Sequence, residues 1–169
     1  TRRSSDLISI LAQWHSHTTY EIMHGTEQHS VGTGRGVRQG CRAAPILWST
    51  YTLALCKRLA AEINVQWVKR CLTAFADDLH CCEEFYSEQQ LADAIARIGL
   101  LLDTIQTMGL VLSLEKSHVI IKISGTNCRD VMKRLVKKGL HGPYIEIPRA
   151  DGTTSKLPVK TQARYLGVT

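Results

Sequence analysis

The sequence predicts an α+β fold in which antiparallel strands carry helices on one face. Three observations lead there. Two long segments carry helical signals. Several short runs rich in β-branched, aromatic and small apolar residues are bounded by turn residues. The two kinds of segment alternate along the chain, with hairpins among the strand runs.

In chain order, "DLISILAQWHSH" places Leu7, Ile8, Ile10, Leu11 and Trp14 on one helical stripe behind Asp6 as N-cap. "TTYEIMHGTEQHSVGTG" reads as two short strands around a Gly25 turn. "GRGVRQGCRAAP" is a glycine-punctuated loop, and a long helix follows it. Pro45 lies in that helix's first turn, where proline removes no backbone bond. "VQWVKRCLTAFA" and "LHCCEE" read as two strands with Asp77 and Asp78 at the tip between them. "SEQQLADAIARIGLLLDTIQTMG" is the clearest helix: Ser87 and Gln90 form a capping box, and Gly109 suits the position just past the end. Its stripe Leu91, Ala94, Ile95, Ile98, Leu101, Leu102 and Ile105 is core packing. "LVLSL" and "HVIIKIS" are strand candidates. A short basic helix, "NCRDVMKRLVKKG", is stopped by Gly139. "YIEIP", "KLPVK" and "ARYLGV" close the chain as strands.

The chain has 169 residues, enough for one domain with a real core. Its first residue, Thr1, and its last segment, "YLGVT", read as cuts in a longer polypeptide. A 44% hydrophobic and 21% charged composition argues against disorder. A net charge of +6 favours polyanionic partners, nucleic acid first. The six cysteines form no C-x-x-C and fit no disulfide framework, so they read as reduced thiols of an intracellular protein, nuclear or cytoplasmic. No apolar run approaches the ~18 residues of a membrane span, and no membrane partner is expected.

Chemistry concentrates in two places. Asp77 and Asp78 stand between apolar flanks with no lysine or arginine in "CLTAFADDLHCC". Paired carboxylates near a core require a compensating cation. Aspartates suit a tight turn, and hard oxygen donors on a rigid tip suit Mg²⁺ (or Mn²⁺), which takes few protein ligands. A plain turn-forming role is the competing reading. In "RGVRQGCRAAP", Gly36 and Gly40 let backbone approach a ligand, Arg35, Arg38 and Arg42 supply phosphate-pairing forks, and Gln39 can bond a sugar or base edge. The following helix points its N-terminus at the same place, which favours an anion. A surface turn with incidental arginines is the alternative.

"GRGVRQGCRAAPILW", "AFADD", "MGLVLSLEKSHVI" and "RYLGV", in this order, resemble the palm of a reverse transcriptase, most closely the non-LTR retrotransposon (LINE-like) branch. The resemblance implies a polymerase-palm antiparallel sheet, truncated at the N-terminus. It makes Asp77 a catalytic metal ligand and Asp78 a supporting carboxylate. Arg38, Gln39 and Gly40 would contact the incoming nucleotide and template, Lys116 would lie near the triphosphate, and Tyr165, Leu166 and Gly167 would form the primer grip. Two Mg²⁺ ions, an RNA template, a DNA primer and a dNTP are implied. So is the remainder of a parent polyprotein with fingers, thumb and possibly an endonuclease. The family's other catalytic aspartate, in an "AFD"-type motif, has no counterpart here, and Asp6 lacks the preceding Ala-Phe. It is expected just upstream of Thr1, the fingers are missing too, and the fragment is expected to be inactive alone. The other functional class is a non-catalytic nucleic-acid-binding module from a decayed retroelement.

Other signals point elsewhere or nowhere. "WHSH" (His15, His17) and "LHCC" (His80, Cys81, Cys82) lack zinc-site spacing. "VMKRLVKKG" reads equally as a nucleic-acid patch or as a solvated face whose lysines favour the helix dipole.

Overall fold

A computed structural model describes residues 9–10, 12–13, 16, 18–33, 41–76 and 78–163. Backbone contacts divide the chain into two compact units, residues 1–53 and 54–169. In the first, residues 9–10 and 12–13 are helical, as the N-terminal stripe requires. Strands β1 (Thr18–His24) and β2 (Glu27–Thr33) pair antiparallel, with Tyr20 opposite Val31 and Ile22 opposite His29. His24 pairs with Glu27, so Gly25 and Thr26 form a two-residue loop, and Gly25 takes the positive φ of 62° that such a turn demands. Helix α1 (Ala44–Glu62) starts with Pro45 inside its first turn.

In the second unit, α1 contributes Leu55 and Leu59 to a buried cluster with Trp67, Leu101 and Ile105. The segment Val65–Cys71, expected as strand, is helix α2. Its β-branched and aromatic content suggested a strand, but the positions that pack on the cluster are Trp67, Val68 and Cys71, the 1-2-5 spacing of a helical face. Asn64 caps it, its Oδ1 accepting from the Trp67 N–H at 2.6 Å. Strand β3 (Leu72–Phe75) follows without a linker and pairs antiparallel with β4 (Asp78–Cys81).

Helix α3 (Glu88–Thr107) is framed by the caps the sequence announces. Ser87 Oγ accepts from the Gln90 N–H at 3.2 Å, while Gln90 Oε1 accepts from the Tyr86 N–H at 2.7 Å, one residue earlier than in the standard box. At its end the Gly109 N–H donates to the Gln106 carbonyl and the Leu110 N–H to the Ile105 carbonyl. That is a Schellman pair, made possible by Gly109 at φ 90°. α3 serves two cores. Leu101 and Ile105 enter the first cluster, and Leu102 joins Ile145, Ile147 and Leu157 in a second, with Ile95 and Ile98 packed against it.

The second cluster lies under a three-stranded antiparallel sheet, β5 (Lys137–Gly139), β6 (Gly142–Pro148) and β7 (Thr154–Pro158), in that order. Ile145 and Ile147 face the core, whereas Tyr144 and Glu146 face outward, and Lys156 lies 5.1 Å above the Tyr144 ring. α3 approaches β6 so closely that a Cβ on Gly99 would collide with the Pro148 carbonyl. This sheet therefore carries α3 on one face. The Arg149 Nε donates to Asp103 Oδ1 at 2.8 Å and its Nη1 to Ser155 Oγ at 2.7 Å, fastening the β6–β7 turn to α3.

Two expectations about this part are corrected. "LVLSL" and "HVIIKIS" contain no strand; only Val119 makes a parallel bridge, to Val159. Leu110, Leu112 and Leu114 do alternate into the cores, so period two marks a half-buried segment that has no ladder partner among the described residues. The basic helix α4 (Cys128–Leu135) ends before Gly139, because Val136 turns extended (φ −92°, ψ 115°) and Lys137–Gly139 become β5.

Candidate active site

The candidate site is the free end of the β3–β4 hairpin. Phe75 and Asp78 are its last paired residues, and Ala76 enters the turn between them. Ala76 holds φ at 49°, a conformation that a residue with a Cβ seldom adopts and that recurs where a loop is bent for function. Thr73, Ala74, Phe75, Ala76 and Asp78 are exposed, while Leu72, Leu79 and Cys81 pack on the first cluster. The hairpin is thus rooted in the core and open at its tip. Asp77 lies outside the described residues, as do Arg38, Gln39, Gly40, Tyr165, Leu166 and Gly167.

The Asp78 carboxylate meets no lysine, arginine or histidine in an ion pair among the described residues. Exposed as it is, the Asp78 carboxylate is solvated by water and needs no compensating side chain, unlike the carboxylate near a core that its apolar flanks suggested. An open carboxylate is a hard oxygen donor, which fits Mg²⁺ or Mn²⁺ better than a thiophilic metal. At the root of the hairpin, where Cys81 pairs with Leu72, burial and then the charge of Glu83 push the Cys81 thiol up to about 12. Among the described residues no three His, Cys, Asp or Glu side chains cluster as a metal cage.

Lys116 sits on an exposed turn after α3, its N–H donating to the Ser113 carbonyl at 3.1 Å. Leu110 and Leu112, from the same "GLVLSLEK" segment, pack on the cluster that also holds Leu72 and Leu79. The Gly109–Lys116 segment and the aspartate hairpin are thereby mounted on one core. Residues 4–169 match the family described as reverse transcriptase (RNA-dependent DNA polymerase). The chain belongs to this reverse transcriptase family. Searches of curated proteins and of solved structures return no match. Reverse transcriptases transfer nucleotides from dNTPs under the direction of a nucleic-acid template and generally use divalent metals.

One functional group escaped the sequence reading. Glu83, two residues beyond β4, has a side chain only 11% exposed. It accepts from the Trp67 indole N–H at 2.5 Å, and the Arg97 guanidinium grips both its oxygens, Nη2 to Oε2 at 2.6 Å and Nε to Oε1 at 3.2 Å. The signal available was a carboxylate directly after an apolar strand, the same kind that drew attention to Asp77 and Asp78. Its partners, 14 and 16 residues away, had no local signature.

Proposed function

We propose that this chain is the palm portion of an RNA-directed DNA polymerase of the non-LTR retrotransposon type, acting on an RNA template, a DNA primer and a dNTP. The observation that carries the proposal is an exposed carboxylate, Asp78, with no ion-pair partner among the described residues, at the free end of a core-rooted hairpin in a chain that matches the reverse transcriptase family over residues 4–169. Asp77 and Asp78 would hold Mg²⁺. Arg38, Gln39 and Gly40 would position the nucleotide and template, Lys116 would meet the triphosphate, and Tyr165, Leu166 and Gly167 would grip the primer. The primer 3′-OH attacks the α-phosphate and pyrophosphate leaves. Bound Mg²⁺ ions would stabilise the charge that develops on the attacking and leaving oxygens.

Residues 1–169 contain no further aspartate in an "AFD" context, so we expect no polymerisation by this chain alone. Basic side chains supply affinity for primer–template independently of the metal. Primer extension on poly-A with Mg²⁺ tests the reading. A longer polypeptide that carries an "AFD"-type segment ahead of residue 1 should incorporate dTMP and lose this with Asp77→Ala, while residues 1–169 should not. Incorporation by residues 1–169 that Asp77→Ala abolishes would show the catalytic set to be complete here. An inert longer polypeptide that still binds nucleic acid would put a binding module in place of the enzyme.

A further inference from the structure

The β3–β4 hairpin is a two-stranded ribbon of four residues a strand, too little to hold its own orientation. Its direction is set where it leaves the core. The entering strand continues straight from α2, and the Cys82 N–H donates to the Cys71 carbonyl at 2.8 Å, closing the ladder at its root. Immediately beyond, Glu83 joins three elements: the leaving strand carries it, α2 reaches it through Trp67, and α3 through Arg97. Trp67 is 6% exposed, so its indole N–H has no ready access to water if Glu83 is lost.

Resting on the metal-holding reading of the hairpin given above, we infer that Glu83 is a positioning residue for the catalytic aspartates, with Arg97 and Trp67 as the two arms of its clasp. Four residues of strand make a lever of about 13 Å. A rotation of roughly 5° at the root then moves the tip by about 1 Å, a displacement large enough to cost catalysis about a hundredfold. Cys71, Leu72, Leu79 and Cys81 rest on the apolar cluster and seat the root, but apolar contact is less directional than a charge-assisted hydrogen bond. The Arg97 guanidinium, bonded to both Glu83 oxygens, supplies that direction. Arg134 and Glu88 form a similar two-oxygen pair between α4 and α3, yet both are mostly exposed and neither lies on the hairpin. Glu83 unites burial, a second donor and a place at the hairpin root.

The test uses the 169-residue chain and two readouts. Arg97→Lys keeps the charge and removes the fork, so it leaves Glu83 neutralised and the fold intact; Glu83→Gln is the stronger variant. In Arg97→Lys, amides of β3 and β4 should exchange about tenfold faster with those of β6 unchanged, the behaviour of a locally released element. Mn²⁺ affinity, read by electron paramagnetic resonance, should fall about tenfold, as for loss of an outer partner of a metal ligand. Unchanged exchange, or exchange accelerated equally in β6, would overturn the inference. The double variant Asp77→Asn, Asp78→Asn separates it from the reading beneath it. If the double variant abolishes Mn²⁺ binding while Arg97→Lys and Glu83→Gln bind as tightly as the wild type, the role of Glu83 is wrong and the metal-holding hairpin stands. If the double variant itself binds as tightly as the wild type, the metal-holding reading is overturned and the inference falls with it.

Discussion

Strands β1 and β2 pair seven residues each across Gly25 and Thr26, and every position from 19 to 32 is exposed. Strands β3 and β4 pair only four residues each, and their roots are packed on a buried cluster. The longer hairpin places glycine at its positive φ of 62°; the shorter places Ala76 at 49°. Alanine there costs on the order of 1 kcal/mol that glycine avoids. The long ribbon thus rests on turn chemistry and a seven-pair ladder. The short one tolerates a strained turn because Leu72, Leu79, Cys81 and Glu83 hold its roots. The hairpin assigned to chemistry is the one whose shape is imposed from outside itself.

Removing that external support should give the largest effect. Leu59 is fully buried in the cluster beneath Leu72 and Leu79. Leu59→Ala should cost about 3 kcal/mol through lost transfer energy and the cavity left behind. Chemical denaturation followed by Trp67 fluorescence would measure it, and a cost below about 1 kcal/mol would mean the cluster collapses around the gap.

Exchanging the turn residues sharpens the contrast at a smaller scale. Gly25→Ala should destabilise β1–β2 by about 1 kcal/mol, because the new Cβ meets the left-handed penalty. Ala76→Gly should leave β3–β4 formed or tighten it by a few tenths of a kcal/mol, since strain relief is offset by the greater freedom of glycine in the unfolded chain. Hairpin amide exchange distinguishes the two. Equal destabilisation by both changes would contradict the distinction between a locally and an externally determined turn.

The smallest effect concerns pH. Hydrogen bonds from Arg58 and then Thr104 hold the Glu62 carboxyl below its ordinary value of 4.5. Thr104 is buried and its Oγ1 lies 2.7 Å from Glu62 Oε2, so this carboxylate ties the end of α1 to α3 under the core that roots the short hairpin. A lowered folded pKa means that the unfolded chain takes up the proton first. The stabilisation is present above the ordinary value and is lost as pH falls through the folded one. Glu62→Gln should therefore flatten the decline in stability between about pH 5 and 3. Melts of both proteins across that window check it; parallel declines would assign the acid sensitivity to other carboxylates.

Much of this architecture was legible because its causes are local. Ser87 and Gln90 cap α3 within three residues, Gly109 ends it within two, and Gly25 closes its hairpin between adjacent pairs. Alternation from Tyr144 to Pro148 identified β6, since one face of a strand is buried wherever its sheet covers a core. The Asp78 hairpin was legible from the β-branched, aromatic and small apolar runs on either side of the aspartates, and the order of its companion motifs led to the family that residues 4–169 match. Composition misled at Val65–Cys71, where strand-forming residues adopt a helix because Trp67, Val68 and Cys71 find a buried cluster on one helical face. Alternation misled at Leu110–Leu114, because burial on one side does not supply a neighbouring strand. Tertiary structure alone decided the partners of the Glu83, Asp103 and Glu62 carboxylates across the fold, respectively Arg97 and Trp67, Arg149 and Ala150, and Thr104, which lie 14 to 47 residues away. A cap or turn is satisfied by atoms the chain brings along within a few residues, whereas a buried carboxylate takes whichever donor the folded core places against it.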